Sequence, residues 1–365
     1  MGECSRFVGI DVHGQELVVC RLDAGTGEVA EARYPHDARG LRRLVRWATA
    51  GAEGAPQGCY EAGQWGFQLQ RKLAAMGLAV IVVAPSRIAR QAGPRVKCDR
   101  LDARRMAVLL SQGALTEVTA PTVSEEAARE VVRCREDARK ALHAAQQQLV
   151  KLLVRWGHQW PAGRKRWTRA YWAWVREVEL PARWAQRVLE ECCLRVSQRT
   201  EELARADGQV AELAEADGWR EVVGRLRCYR GIDTLTAVGL ATELYQVTRL
   251  GGPREAMSFV GLVPREESSG ARERRGAVTK TGNKLVRRLL VEAARHAAGR
   301  NTVSVALRRR RAGQPAAAIA RADRAQGRLH RKYWRLVQRG KQPHVAVVAV
   351  ARELMGFVWA ELRAA

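Results

Sequence analysis

Two polar breaks in an otherwise apolar opening restrict the possible folds of this chain more than any other feature. Arg6-Phe7-Val8-Gly9-Ile10-Asp11-Val12 reads as a buried strand, and His13-Gly14-Gln15 as a turn into a second strand, Glu16 to Leu22. Ala24-Gly25-Thr26-Gly27 then turns the chain into a third strand, Glu28 to Tyr34. After these hairpin-linked strands the apolar period changes to a helical one at Leu41, Leu44, Val45 and Ala48. A short strand at Gly58 to Glu61, a helix over 64–76, an apolar strand from Leu78 to Ala84 and a helix from Asp99 through Leu110 complete the series. Burying these elements together calls for a mixed sheet flanked by helices, and the order is that of an RNase H-like fold.

From Ser124 the pattern becomes wholly helical. Val131, Cys134, Ala138, Ala141, Ala145, Leu149, Leu152 and Trp156 step by threes and fours, a narrow seam rather than a broad face. A second seam runs from about 183 to 216 through Trp184, Val188, Cys192, Val196, Leu203, Val210 and Leu213. The pair predicts an antiparallel helical hairpin or coiled coil, able to pair with another protomer. Five tryptophans (156, 160, 167, 172 and 174) fall in the link between the seams, among Arg164, Lys165, Arg166 and Arg169. Beyond Leu226, Tyr229 to Ala237 reads as helix, tight turn, helix, where backbone amides can meet a phosphate. An apolar helix from Val345 to Trp359 closes the last core. The expected domains are 1–123, 124–222 and 223–365, an α/β unit followed by two α units.

The formal net charge of +25 over 365 residues points to a polyanion, nucleic acid before membrane surface. No apolar stretch is long enough to cross a membrane, and residues 1–5 lack the features of a signal peptide. The eight cysteines include no Cys-x-x-Cys pair, so the sequence gives no zinc site and predicts buried, reduced thiols in a cytoplasmic protein.

Against so basic a background, four acids stand out. Asp11 ends the first strand, Glu61 ends the fourth, and Asp99 and Asp102 share a face of the following helix at i and i+3. Carboxylates gathered so closely repel one another unless cations intervene, so they predict Mg²⁺ or Mn²⁺. Two such ions about 4 Å apart can clamp the attacking and leaving oxygens of a phosphodiester. Taken singly, the same acids are a turn residue, a helix-start acid and an N-cap.

A second constellation runs from Phe259 to Gly270 and from Gly276 to Arg288. Its Ser269-Gly270 in a polar loop can present a hydroxyl nucleophile, with Ser268 an adjoining alternative; an ordinary turn is the competing reading. Lys280, Lys284, Arg287 and Arg288 form a phosphate-contacting or solvated face. Arg308, Arg309, Arg310 and Arg311, with Trp167 and Trp172 of the link, are expected to contact RNA or DNA by phosphate pairing and stacking. For the tryptophans, packing of the hairpin tip is an equal alternative.

These motifs together resemble the DEDD-type transposases of the insertion sequence 110 family, the bridge-RNA-guided serine recombinases. Gly9-Ile10-Asp11-Val12, Glu61-Ala62-Gly63 and Lys97-Cys98-Asp99-Arg100-Leu101-Asp102-Ala103 match its RuvC-like half. Gly261-Leu262-Val263-Pro264, Ser269-Gly270 and Thr279-Lys280-Thr281-Gly282-Asn283 match its transposase half, and the Arg339–Leu354 tail resembles a longer-tailed subgroup. Cys98 stands where the family often has threonine, and Ala62-Gly63-Gln64 follows Glu61 where Ala-Thr-Gly is usual. The resemblance implies a metal-binding tetrad of Asp11, Glu61, Asp99 and Asp102, and a 5′-phosphoserine link through Ser269. It also implies double-stranded donor and target DNA, a structured non-coding guide RNA, a dimer-to-tetramer assembly with shared active sites, and a prokaryotic, nucleoid-associated setting. The competing enzyme is a metal-dependent, structure-specific nuclease of the junction-resolvase kind, in which water attacks. A non-catalytic nucleic-acid-binding protein is the third reading.

Overall fold

The computed structural model describes residues 6–52, 54–85, 88, 99–266 and 275–364. They divide into two compact units, 1–122 and 123–365.

In the first unit, β1 (Arg6–Val12), β2 (Glu16–Asp23) and β3 (Val29–Pro35) form an antiparallel meander. β4 (Gln57–Glu61) and β5 (Ala79–Val83) add to its β1 edge in parallel. The result is the expected mixed sheet, five strands in the order β3-β2-β1-β4-β5. Alternation along β1 and β2 divides the side chains between two faces. Val8, Ile10, Leu17 and Val19 pack with Leu41 and Leu44 of α1 (Ala38–Thr49) and Leu69 and Leu73 of α2 (Gln68–Ala75). Val18, Cys20 and Cys59 lie on the face covered by α3 (Asp99–Ser111), through Ala103, Met106 and Ala107. Helix α2 starts four residues later than its apolar period suggests. Residues 64–67 form turns instead, and the Trp65 indole donates to the Val12 carbonyl at 3.0 Å.

Among the described residues the second unit is helical apart from one small hairpin. Helices α4 (Val123–Arg155) and α6 (Arg183–Glu215) run antiparallel, as Arg135–Asp207 at 2.7 Å and Arg195–Gln148 at 2.8 Å show. Most of the expected seam is buried: Ala138, Ala145, Leu149 and Leu152 on α4, and Cys192, Val196 and Val210 on α6. It departs near the ends. At the base of the hairpin Ala128, Val132 and Glu136 are buried while Val131 is partly so and Cys134 is exposed, because there the hairpin also packs against α8 (Thr234–Glu243). At the tip end Trp156, Trp184 and Val188 are exposed. Trp184 instead lies under the guanidinium groups of Arg183 and Arg187, each 5.4 Å from its ring. Cys134 is consequently exposed and Cys193 half-buried, while Cys20, Cys59, Cys192 and Cys228 are buried as expected. Around α8 gather α7 (Arg220–Leu226), α9 (Pro253–Phe259), α10 (Lys284–Ala294), α12 (Ala316–Gln338) and α13 (Pro343–Arg363), in a core continuous with Val132 and Val210 of the hairpin. Among the described residues no helix is long and apolar enough to cross a membrane.

Candidate active site

Parallel pairing of β1 with β4 sets Ile10 opposite Tyr60, so Asp11 and Glu61 each follow by one residue at neighbouring strand ends. Asp11 has the parity of Gly9, and Glu61 that of Cys59, so both belong to the face that α3 covers. Close approach of that helix depends on Gly9. A Cβ there would stand 2.0 Å from the Ala103 carbonyl oxygen and 2.7 Å from the Ala107 nitrogen. Asp102 is the residue before this contact, half-buried, and makes no side-chain hydrogen bond or ion pair among the described residues. Asp99 opens α3, one helical turn before Ala103; its side chain lies outside the described residues. Sequence reasoning missed His13, whose Nε2 is 3.1 Å from Asp11 Oδ2. The tight turn after β1 folds it back, and the backbone carbonyl of His13 is in turn held by His36 Nδ1 at 2.9 Å. Among the described residues no three His, Cys, Asp or Glu side chains assemble as a metal cluster. The donor set still suits a hard divalent ion, because it is all oxygen and spread over two strand ends and one helix. Gly9→Ala is therefore expected to destabilise the unit by about 3 kcal/mol, the upper range for overpacking. It should depress DNA cleavage with no ligand touched; a denaturation midpoint equal to that of the parent would refute this.

The serine loop is carried by the other small sheet. β6 (Pro264–Glu266) pairs antiparallel with β7 (Arg275–Val278), and Ser268 and Ser269 fall in the connecting segment, outside the described residues. The hairpin is rooted in the two flanking motifs. Thr279 N–H donates to Val263 O at 2.9 Å and Lys280 N–H to Gly261 O at 3.1 Å. Gly261 (φ +67°) and Gly282 (φ +78°) are glycines by necessity, since a Cβ on either would stand 2.0 Å from a carbonyl oxygen, of Thr281 and Phe259 respectively. Lys280, without that excuse, is also left-handed at φ +56°, a local strain held in place by the paired strands. Asn283 caps α10 through Oδ1, accepting from Leu285 and Val286, while its Nδ2 donates to Glu243 Oε2 at 2.7 Å. Glu243 is buried and also accepts from Arg133 at 2.8 Å, with Arg129 3.7 Å away. Burial raises its carboxyl pKa, but the Arg133 hydrogen bond and the charges of Arg133 and Arg129 outweigh this and hold it below the ordinary value. This anchor was not singled out from sequence.

The basic residues separate by environment. Lys280, Lys284, Arg308 and Arg309 are exposed. Arg287 turns in to donate to Val260 O and Thr281 O at 2.9 and 3.1 Å, and Arg288 is paired with Glu136 and Glu292. Arg310 donates to Ile232 O, and buried Arg311 binds Cys228 O and Asp323. Those last two clasp the tight turn of residues 228–233, whose Gly231 packs on Ala293 and whose Asp233 caps α8. At the hairpin tip Trp160, Trp167, Trp172 and Trp174 surround buried Tyr171, with ring centroids 4.9–5.9 Å from it. Trp167 and Trp172 are thus partly buried in an aromatic cluster, the packing alternative.

Sequence comparison extends over both units. The transposase model of the DEDD type within the IS110 group matches residues 8–157, and the model described as "Transposase IS116/IS110/IS902 family" matches residues 224–309. The protein y4qE of Sinorhizobium fredii, whose name places it among transposases, is 36% identical over 98% of this chain and 89% of its own length. The chain belongs to the IS110 transposase family. The chain is also similar to the transposase for insertion sequence element IS1533 from Leptospira borgpetersenii, 29% identical over 92% of this chain and 98% of its own. That of IS1111A from Coxiella burnetii is 24% identical over 80% and 77%. The chain is thus a transposase, an enzyme acting on DNA. The first IS110 match contains all four acids and the second contains the serine loop with its Glu243–Asn283 anchor.

Proposed function

We propose that this transposase cuts and rejoins DNA through Ser269, with divalent ions held by Asp11, Glu61, Asp99 and Asp102 on an RNase H-like sheet. The observation that carries the reading is the placement of Asp11 and Glu61 at adjacent parallel strand ends, on the face covered by the helix bearing the two aspartates. When bound, Mg²⁺ or Mn²⁺ supplies Lewis-acid stabilisation of charge on the phosphoryl oxygens. The protein supplies the rest. The Ser269 hydroxyl oxygen bonds to phosphorus, its proton passing to a nearby base or water, as the bond to the 3′-oxygen breaks and that oxygen takes up a proton. Rejoining reverses the step: a 3′-hydroxyl attacks the phosphoserine and the serine leaves. The covalent link retains the bond energy of the cut strand, so no nucleotide triphosphate is consumed.

Base pairing with a structured guide RNA would select the sites, leaving the protein to grip backbones, a task that suits a +25 chain. The composite arrangement has the sheet of one protomer serve the serine of another. Ser269→Ala decides between the enzymes. The recombinase loses its covalent DNA adduct on denaturing gels, and Ser268→Ala keeps it; a nuclease using water goes on cutting with Ser269 gone.

A further inference from the structure

Helix α12 lies beyond the last residue matched by either family model, and its two faces differ sharply. Ala318, Ala322, Ala325, Leu329 and Tyr333 are buried in the core of the second unit. Arg324, Arg328, Arg331 and Arg335 follow at steps of four, three and four on the outer face, and Arg339 at the C-cap continues the row. All five are exposed. At 1.5 Å rise per residue, neighbours are about 4.5–6 Å apart along the axis and the row is about 22 Å long. Arg328 is paired with Glu353, but Arg324, Arg331, Arg335 and Arg339 form no side-chain ion pair among the described residues. The acid next to the row's start in sequence, Asp323, is already bound to Arg311 at 2.7 Å. Like charges one turn apart on a helix are mildly destabilising. Folding gives no reason for them.

A second observation points to a ligand. Trp334 sits beside the row, next to Arg335 in sequence, and is 41% exposed. Its ring is braced edge-on by Tyr333 (centroids 5.4 Å apart, 88°) and by His330 (6.4 Å, 69°), itself held by the Ala297 carbonyl at 2.9 Å. A rigid aromatic surface flanked by guanidinium groups suits an unpaired base next to a phosphate chain. A duplex keeps its bases stacked inside and would leave this ring without a partner. Arginine rather than lysine throughout the row also favours the bidentate grip on phosphate oxygens.

We propose that α12 binds a single-stranded or looped stretch of nucleic acid, its phosphates along Arg324, Arg331, Arg335 and Arg339 and one base stacked on Trp334. This rests on the family's action on DNA and not on the carboxylate or serine chemistry. DNA and RNA strands offer the same phosphates and bases, so both serve as probes.

The test uses the full chain and labelled single-stranded DNA and RNA oligonucleotides of about twelve nucleotides, with a DNA duplex of the same length beside them, titrated over a range of salt. The variant R324Q/R331Q/R335Q/R339Q should bind at least about tenfold more weakly at physiological salt. Its log–log salt dependence should be shallower by about 3, at about 0.7 for each phosphate no longer neutralised. Trp334→Ala should weaken binding about fivefold or more with the salt slope unchanged, as base stacking requires. The quadruple change R39Q/R42Q/R43Q/R46Q on the exposed face of α1 removes the same net charge and should alter affinity less than twofold. Circular dichroism melting checks that each variant is folded. Weakening with DNA alone, RNA alone or both assigns the strand that occupies the face. Unchanged binding of both strands by the α12 variant, equal weakening by the α1 variant, or weakening confined to a duplex probe overturns the proposal.

Discussion

Asp11→Asn is expected to reduce DNA strand cleavage by about a thousandfold or more while leaving DNA affinity within about twofold. The substitution keeps the shape of the side chain and its reach toward His13, 3.1 Å away, but removes the negative charge at the end of β1. Amide oxygen is a far poorer ligand than carboxylate for a hard divalent ion. A thousandfold corresponds to about 4 kcal/mol of lost transition-state stabilisation, within the several kcal/mol that ion-assisted phosphoryl chemistry supplies. Glu61→Gln should behave alike, because Glu61 occupies the matching position on the adjacent strand. His13→Ala should cost far less, since it touches Asp11 without lying in the oxygen donor set. The measurement is cleavage of labelled element-end DNA with Mg²⁺ or Mn²⁺, beside anisotropy binding without added metal. Retained cleavage by Asp11→Asn would show that the N-terminal acids do not serve the chemistry, whatever becomes of the serine.

Much of the first unit was legible because its physics is local. Alternation and two polar turns set the meander, and Gly58 to Glu61 was legible as a further strand of a mixed sheet; its parallel pairing with β1, which puts Asp11 and Glu61 on one face, is a structural finding. Gly9 was legible only as part of a motif; its reason, a helix backbone pressed onto it, lies about a hundred residues away in sequence. The helical seams were legible over most of their length and departed near their ends, where α8 competes for the base of the hairpin and Trp184 meets arginines rather than a partner helix. The run Arg308–Arg311 looked like one charged face. Leu307 and Arg311, four apart, share the inward side of their short helix, a signal present in the sequence but masked by charge. Asp11 and Glu61 have structural addresses, whereas the hydroxyl of Ser269 and the carboxylate of Asp99 fall outside the described residues.

A large stability effect is expected at Glu243, a residue that reads from sequence as an ordinary acid ending an apolar helix. Its partners are remote: Arg133 stands 110 residues before it and Asn283 40 residues after. Glu243→Ala leaves the largely buried Arg129 without a counter-charge and deprives the Asn283 amide of its acceptor, while Arg133, 55% exposed, can turn to water. The cost is therefore about 3 kcal/mol, the low end for breaking a buried ion pair, and still a large share of the 5–15 kcal/mol that typically holds a domain together. Glu243→Gln should recover part of this, because an amide oxygen can still accept from Asn283 while the arginines remain without a counter-charge. The pH dependence gives an independent reading. The carboxyl is held below its ordinary value of 4.5 in the folded chain, so its contribution is fully present above that pH and is lost as pH falls through the folded value. Urea denaturation below pH 4.5 should therefore show a steeper loss of stability in the parent than in Glu243→Ala. Glu136, Glu353 and Glu361, also held low by arginine or lysine partners, should keep some acid dependence in both proteins. The same change should reach the chemistry, because Glu243 fixes Asn283, Asn283 caps α10, and the residues just before that cap anchor the hairpin that presents the serine loop. Cleavage by Glu243→Ala, measured where the variant is still folded, should fall while binding to DNA persists. Equal urea midpoints for parent and variant at neutral pH would mean that the buried cluster contributes nothing, and that the loop is held by its paired strands alone.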